Sequence, residues 1–232
     1  MNVGPNIINY YQQYYPYVGE APQLSSTYGQ YDNGNYVFLF YDDFNGTSLN
    51  TSKWTNNTAN SGGTLIIDNG MTYIRGNSEN NYPFLYSNSM FSSGVFETYG
   101  DIPSGGARGV YIYAGFGLAP QNNFVGNLSM VGDFDSTYGL ITATSSGAQN
   151  IVGGLSGGMY IWQVWIPSSS PSIIYGSQNY ESQISSSTDM PTLPQSIVFA
   201  DQCNTGINLG PFYWVRVRSY PPNGVMPSIY IS

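Results

Sequence analysis

From residue 36 onward, apolar and polar positions alternate in short runs broken by clusters of Gly, Pro, Asn and Ser. A period of two marks a strand with one buried face, and no segment keeps helical spacing for three turns. The runs predict strands at 36–41, 64–68, 72–75, 84–87, 94–99, 110–116, 127–133, 140–144, 160–166, 172–175, 196–201, 212–219 and 228–231. In the last but one, Tyr213, Val215 and Val217 point one way while Trp214, Arg216 and Arg218 point the other. Pro221, Pro222, Asn223 and Gly224 follow, a turn that predicts a closing hairpin. The same rule places Trp162 and Val164 on one face of their strand and Gln163 and Trp165 on the other, so one tryptophan is expected in the core. Strands without helices predict an all-β chain of two packed antiparallel sheets.

Two segments depart from the alternation. Residues 1–35 set Tyr10, Tyr11, Tyr14, Tyr15 and Tyr17 among Gln, Asn, Gly and Pro with no periodicity, which predicts an irregular Tyr-rich amino-terminal arm ahead of a sandwich at 36–232. Tyrosine brings large contact area at low entropic cost, so this arm is expected to mediate assembly with copies of the chain or with other coat or filament subunits. Residues 167–194, rich in Ser and Pro, read as a long surface loop or as paired edge strands.

The stretch from Phe40 to Trp54, FYDDFNGTSLNTSKW, brings two aspartates, an aromatic residue, an Asn-Gly turn and a tryptophan close together. Phe44 is expected to turn inward, Asn45-Gly46 to reverse the chain, and Leu49 and Trp54 to anchor the connection in the core. The stretch resembles the opening motif of the concanavalin A-like lectin/glucanase superfamily, and Gly63–Ile74 and Gly94–Tyr99 resemble the strands that follow it there. The likeness is closest to the uncharacterised lectin-like modules of archaeal and bacterial surface proteins. It implies a two-sheet antiparallel jelly-roll sandwich with a concave face, a fold used for glycan binding, glycan hydrolysis and plain structure. Family members often hold a structural Ca²⁺ near this end, which makes Asp42 and Asp43 the candidate ligands; no other cofactor is expected.

Composition then narrows the chemistry. The chain of 232 residues has 16% aromatic but only 8% charged residues, five basic against thirteen acidic, for a net charge of −8. Nucleic acid is an unsuitable partner for so few bases, since phosphate neutralisation carries that affinity. No histidine is present, which removes the usual general base near neutral pH and every triad or zinc scheme built on it. A single cysteine, Cys203, excludes an intrachain disulfide and reads as a small buried residue. Few titrating groups suit an acidic, hot exterior such as a thermophilic archaeal setting. The amino terminus has no basic and apolar leader pattern and no run approaches a membrane span, so the chain is expected to reach an extracellular or virion surface inside an assembly.

Candidate sites follow from these constraints. Laminarinase-like members of the superfamily aim E-x-D-x-x-E from one strand, and retention of configuration needs two carboxyls about 5 Å apart. Asp133 and Asp135 share a face by period two, but Tyr138 stands near where the second acid is expected. The expectation is therefore a noncatalytic protein. Tyr111, Tyr113 and Trp165, with Asp133 and Asp135, form the candidate glycan-binding set, the aromatic faces stacking on sugar rings. Asn45, Asn50, Asn56 and Asn127 each begin an Asn-x-Ser/Thr sequon and are candidate glycosylation sites. The reading that collects these features is a structural subunit of a virion or extracellular filament whose concave face contacts host glycans. The alternatives are a glycan-binding surface adhesin and a degenerate β-glucanase-like hydrolase.

Overall fold

The computed structural model describes residues 34, 38–58, 62–76, 83–103, 111–118, 127–202 and 208–220. The strands are β1 (Phe40–Asp42), β2 (Trp54–Asn56), β3 (Thr64–Ile67), β4 (Thr72–Arg75), β5 (Phe84–Phe91), β6 (Gly94–Ile102), β7 (Tyr111–Gly117) and β8 (Leu128–Phe134), followed by β9 (Thr137–Ala143), β10 (Gln149–Gly153), β11 (Gly158–Ile166), β12 (Ile174–Gln178), β13 (Glu181–Ser186), β14 (Gln195–Gln202) and β15 (Asn208–Arg218). They form two antiparallel sheets. One has eight strands in the order β13-β12-β11-β6-β15-β4-β3, with β1 also pairing β15; the other has seven in the order β10-β9-β8-β7-β14-β5-β2. The molecule is a jelly-roll sandwich of the concanavalin A-like type, and among the described residues no helix is long and apolar enough to cross a membrane.

The sheets are held together by aromatic side chains that interdigitate between them. Phe199, on β14 of the seven-stranded sheet, lies 4.6 Å from the Phe212 ring and 6.0 Å from Phe96, both on the eight-stranded sheet. Trp54 and Phe44 close on Phe199 at 6.0 and 6.4 Å. The opening motif thus supplies part of the core. Phe44 takes a left-handed backbone (φ 52°) that turns its ring inward, and the following turn is tied down as Asn69 N and Gly70 N donate to the carbonyls of Gly46 and Phe44. Asp42 is buried beneath it. Its two oxygens accept from Trp54 Nε1 (2.6 Å) and Phe44 N (2.9 Å), so this carboxylate fixes the motif in place.

Where a side chain would hold the sheets apart, the chain places glycine. A Cβ on Gly176 of β12 would lie 2.9 Å from Val131 Cγ1 of β8, so only hydrogen there lets the two strands approach. The 167–194 stretch resolves into β12 and β13 as paired strands at the sheet edge, and β2 and β10 are strands that the alternation did not predict. Trp162 is fully buried and donates Nε1–H to Gly100 O at 3.0 Å, while Trp165 faces away from the core.

The reading of β15 needs one correction. Val215 and Val217 enter the core and Trp214, Arg216 and Arg218 face outward, but Tyr213 does not join the valines. The β15–β6 register shifts between Phe212 and Trp214, so Phe212 takes the core position and Tyr213 is left on the surface, stacked on Tyr99 at 5.5 Å. The hairpin at 221–224, the strand at 228–231, Cys203 and the tyrosines of residues 1–33 lie outside the described residues.

Because Phe199 joins four rings from both sheets, Phe199→Ala is expected to destabilise the fold by about 3–5 kcal/mol in chemical denaturation, the usual cost of emptying an aromatic core position.

Candidate functional site

Each sheet turns one face away from the shared core, and the two faces differ in chemistry. On the seven-stranded sheet that face is apolar. Tyr113, Met130, Phe134, Ile141 and Val198 form a second buried cluster there, with the Tyr113 and Phe134 rings stacked at 5.7 Å. Since Val131 and Leu140 of the same strands serve the main core, β8 and β9 bury side chains on both faces.

This arrangement separates the residues that the sequence grouped together. Tyr111 and Tyr113 face the second cluster, where Tyr113 is packed against apolar neighbours. Asp133 is buried and points to the opposite face, alongside Val131. Asp135 does not share a strand face with it, because β8 ends at Phe134 and Asp135 turns the chain with φ 54° on an exposed corner. Trp165 belongs to the other sheet altogether. The β8 positions on the outward face are Leu128, Met130 and Phe134, and none is a carboxylate.

The metal and modification candidates are placed as follows. Asp42 is committed to two N–H donors, and Asp43 accepts from Asn45 N (3.4 Å) and Asn45 Nδ2 (2.5 Å). Oxygens turned to N–H donors do not fit a Ca²⁺ ligand set, and among the described residues no group of three or more His, Cys, Asp or Glu could hold a metal. Asn45, Asn50 and Asn56 are exposed. Asn127 is corrected as a glycosylation candidate: it is 3% exposed, and its amide bonds both Thr192 N and Thr192 O, which leaves it unreachable for modification.

The eight-stranded sheet presents a polar row instead. Register places Tyr41, Arg216, Glu97, Gln163 and Ser177 opposite one another across β1, β15, β6, β11 and β12. Glu97, fully buried, is its centre. It accepts from Arg216 Nε at 2.6 Å, from Arg218 Nε at 3.1 Å and from Gln163 Nε2 at 2.8 Å. Gln163 Oε1 in turn accepts from Ser177 Oγ (2.8 Å) and Tyr180 N (3.1 Å), and Arg216 Nη2 donates to the Tyr180 hydroxyl at 3.0 Å. The β12–β13 turn is therefore clamped down over the sheet.

Aromatic rings supply the cover that keeps these charges out of water. The Arg216 guanidinium lies 4.8 Å from the Phe38 ring and 4.7 Å from Trp214, and the Arg218 guanidinium 5.7 Å from Trp165. Burial pushes the Tyr41 phenol well above its ordinary value, aided by the charge of Asp43, so this ring stays neutral beside Arg216. At the far end of β6, burial likewise raises the Asp101 carboxyl. Glu97, Gln163, Arg216 and Arg218 were not singled out as a site from sequence. The available signal was a glutamate inside an apolar strand together with two outward arginines two residues apart, which on a buried face demand a partner.

Comparison with known proteins agrees with this architecture. Residues 6–57 match a family described as a domain of unknown function, DUF2341, a span that runs from the amino-terminal arm through the opening motif to β2. The chain is 29% identical over 242 residues to uncharacterized protein 562 of Sulfolobus islandicus rod-shaped virus 1, a match that takes in 92% of this chain but only 42% of that protein's length. Similar solved structures include the Bacillus licheniformis beta-glucanase, with a TM-score of 0.52 and 14% identity over 78% of this chain and 97% of that one. A beta-1,3-1,4-glucanase (lichenase) from a mouse hindgut metagenome gives 0.54 and 13% over 77% and 98%. The laminarinase of Rhodothermus marinus gives 0.53 and 14% over 79% and 97%. These neighbours overturn the expectation of a noncatalytic protein, because the architecture is that of glycoside hydrolases; at such identities the fold is what is shared.

Removing Glu97 would leave two arginines buried without their carboxylate. Glu97→Ala is expected to cost about 3–5 kcal/mol in denaturant unfolding, and an unchanged unfolding midpoint would show that the row is idle.

Proposed function

We propose that the chain is an exterior subunit of a virus particle whose sandwich contacts glycans through the outward face of the eight-stranded sheet. The observation that carries this reading is the sequence relation to a protein of a rod-shaped virus along 92% of the chain. Two further features support it. The fold is one on which β-glucans are handled in the Bacillus licheniformis and Rhodothermus marinus proteins. The eight-stranded sheet also offers half-buried and exposed rings, Tyr99, Trp214 and Tyr213, beside polar groups, the combination that sugar rings and hydroxyls need. Copies of the same chain are the natural assembly partners, with the tyrosines of residues 1–35 as the adhesive segment. Asn45, Asn50 and Asn56 are exposed, and if glycosylated they would keep the opening-loop edge solvent-facing in that assembly.

A second reading, hydrolysis of a glucan, is favoured by the fold neighbours. It would draw on carboxylates other than the Asp133 and Asp135 pair.

Protein analysis of purified particles, combined with affinity electrophoresis of the full chain in laminarin and lichenan gels, tests the first reading. The expected result is the chain in the particle, accessible to added protease, and retarded migration in at least one gel. Its confinement to the soluble fraction of infected cells would overturn the particle role. Release of reducing ends in proportion to added protein would assign the hydrolytic role.

A further inference from the structure

One end of the charged row is chemically unfinished. Glu97 is shared between two guanidiniums, those of Arg216 and Arg218. Asp42 and Asp43 lie at the Arg216 end, beside Tyr41, and bring negative charge to that end of the row. At the other end Arg218 spends Nε on Glu97, while its Nη2 is buried and meets no acceptor among the described residues. Trp165 Nε1, on the neighbouring row position, is likewise buried without an acceptor.

These two donors belong to one place. Register sets Arg218 opposite Val95, Val95 opposite Trp165 and Trp165 opposite Tyr175, so the arginine reaches across a small side chain to the indole, 5.7 Å from guanidinium to ring. Tyr220, just beyond the end of β15, lies edge-on against Trp165 with ring centres 6.2 Å apart. Burial raises its phenol, with a smaller contribution from Tyr175, the residue opposite Trp165 on β12. A buried donor without an acceptor is costly, more so when it is charged, so both donors favour a state in which an acceptor reaches them. Tyr220 lies just beyond β15, outside its ladder, so its ring is not fixed by strand pairing.

We propose that Arg218, Trp165, Tyr175 and Tyr220 form a binding site for a carboxylate-bearing saccharide unit, a hexuronate, on the outward face of the eight-stranded sheet. The carboxylate takes Arg218 Nη2; a ring or hydroxyl oxygen takes Trp165 Nε1; the tyrosine rings flank the sugar. This deepens the glycan-contact reading by naming the saccharide class, and it rests on that reading.

Ligand-observed NMR titration of the full chain with glucuronate, glucose and acetate tests it. Glucuronate is expected to bind at least tenfold more tightly than either of the others. Trp165→Phe, which keeps an aromatic ring but removes the N–H, is expected to weaken glucuronate at least tenfold with no change in melting midpoint; Arg218→Lys, which keeps the charge but removes the planar fork, is expected to weaken it at least tenfold while the chain stays folded at the titration temperature. Equal affinity for glucose, equal affinity for acetate, or glucuronate binding untouched by Trp165→Phe would each overturn the site. Laminarin or lichenan retardation without glucuronate binding would overturn this site while leaving glycan contact standing. Sedimentation showing a wild-type dimer that both substitutions abolish would assign the donors to a carboxylate of a second copy instead.

Discussion

The structure depends on the contact of two sheets through a layer of aromatic rings. With charged residues at 8% and a single cysteine, neither ion-pair networks nor an intrachain disulfide can hold the layers together. Phe199 meets Phe96 and Phe212 across the gap, and the opening motif adds Phe44 and Trp54 to the same contact. Everything outside that layer is positioned by it. Once alternate residues of β6, β11 and β15 are committed inward, the residues between them, Glu97, Gln163 and Arg216, must face the other way whatever their polarity.

That obligation explains the buried charge. Strand pairing brings Glu97 level with Arg216 on one side and Gln163 on the other, and the β12–β13 turn covers them with Tyr180. A buried ion pair is weak evidence of net stabilisation, but it specifies register strongly, since sliding β15 by one residue would strand three charges. The seven-stranded sheet answers the same geometry differently. Its second face carries Tyr113, Met130 and Phe134, so β8 is lined with apolar groups on that side.

Much of the fold was legible because period-two alternation reports directly on which face is buried. Trp162 and Trp165 divided as their spacing required, and Phe44, Leu49 and Trp54 took the anchoring roles that the opening motif implied. What escaped was local or non-local in a specific way. The β15 shift near Phe212 is a backbone irregularity that alternation cannot register, and it carried Tyr213 to the surface. The pairing of Asp133 with Asp135 failed because the strand ends at Phe134, one residue too early. The Glu97 row was hidden because its members come from five strands far apart in sequence, and only the sheet order makes them neighbours.

The outward face of the eight-stranded sheet, with Arg218 and Trp165 on it, is the proposed contact surface of an exterior subunit. Electron cryomicroscopy of the assembled particle tests this most directly. The expected result is an eight-stranded sheet that faces solvent on the particle's outside while subunits meet elsewhere. A reconstruction in which that sheet packs against a neighbouring subunit, or lies toward the particle interior, would contradict it.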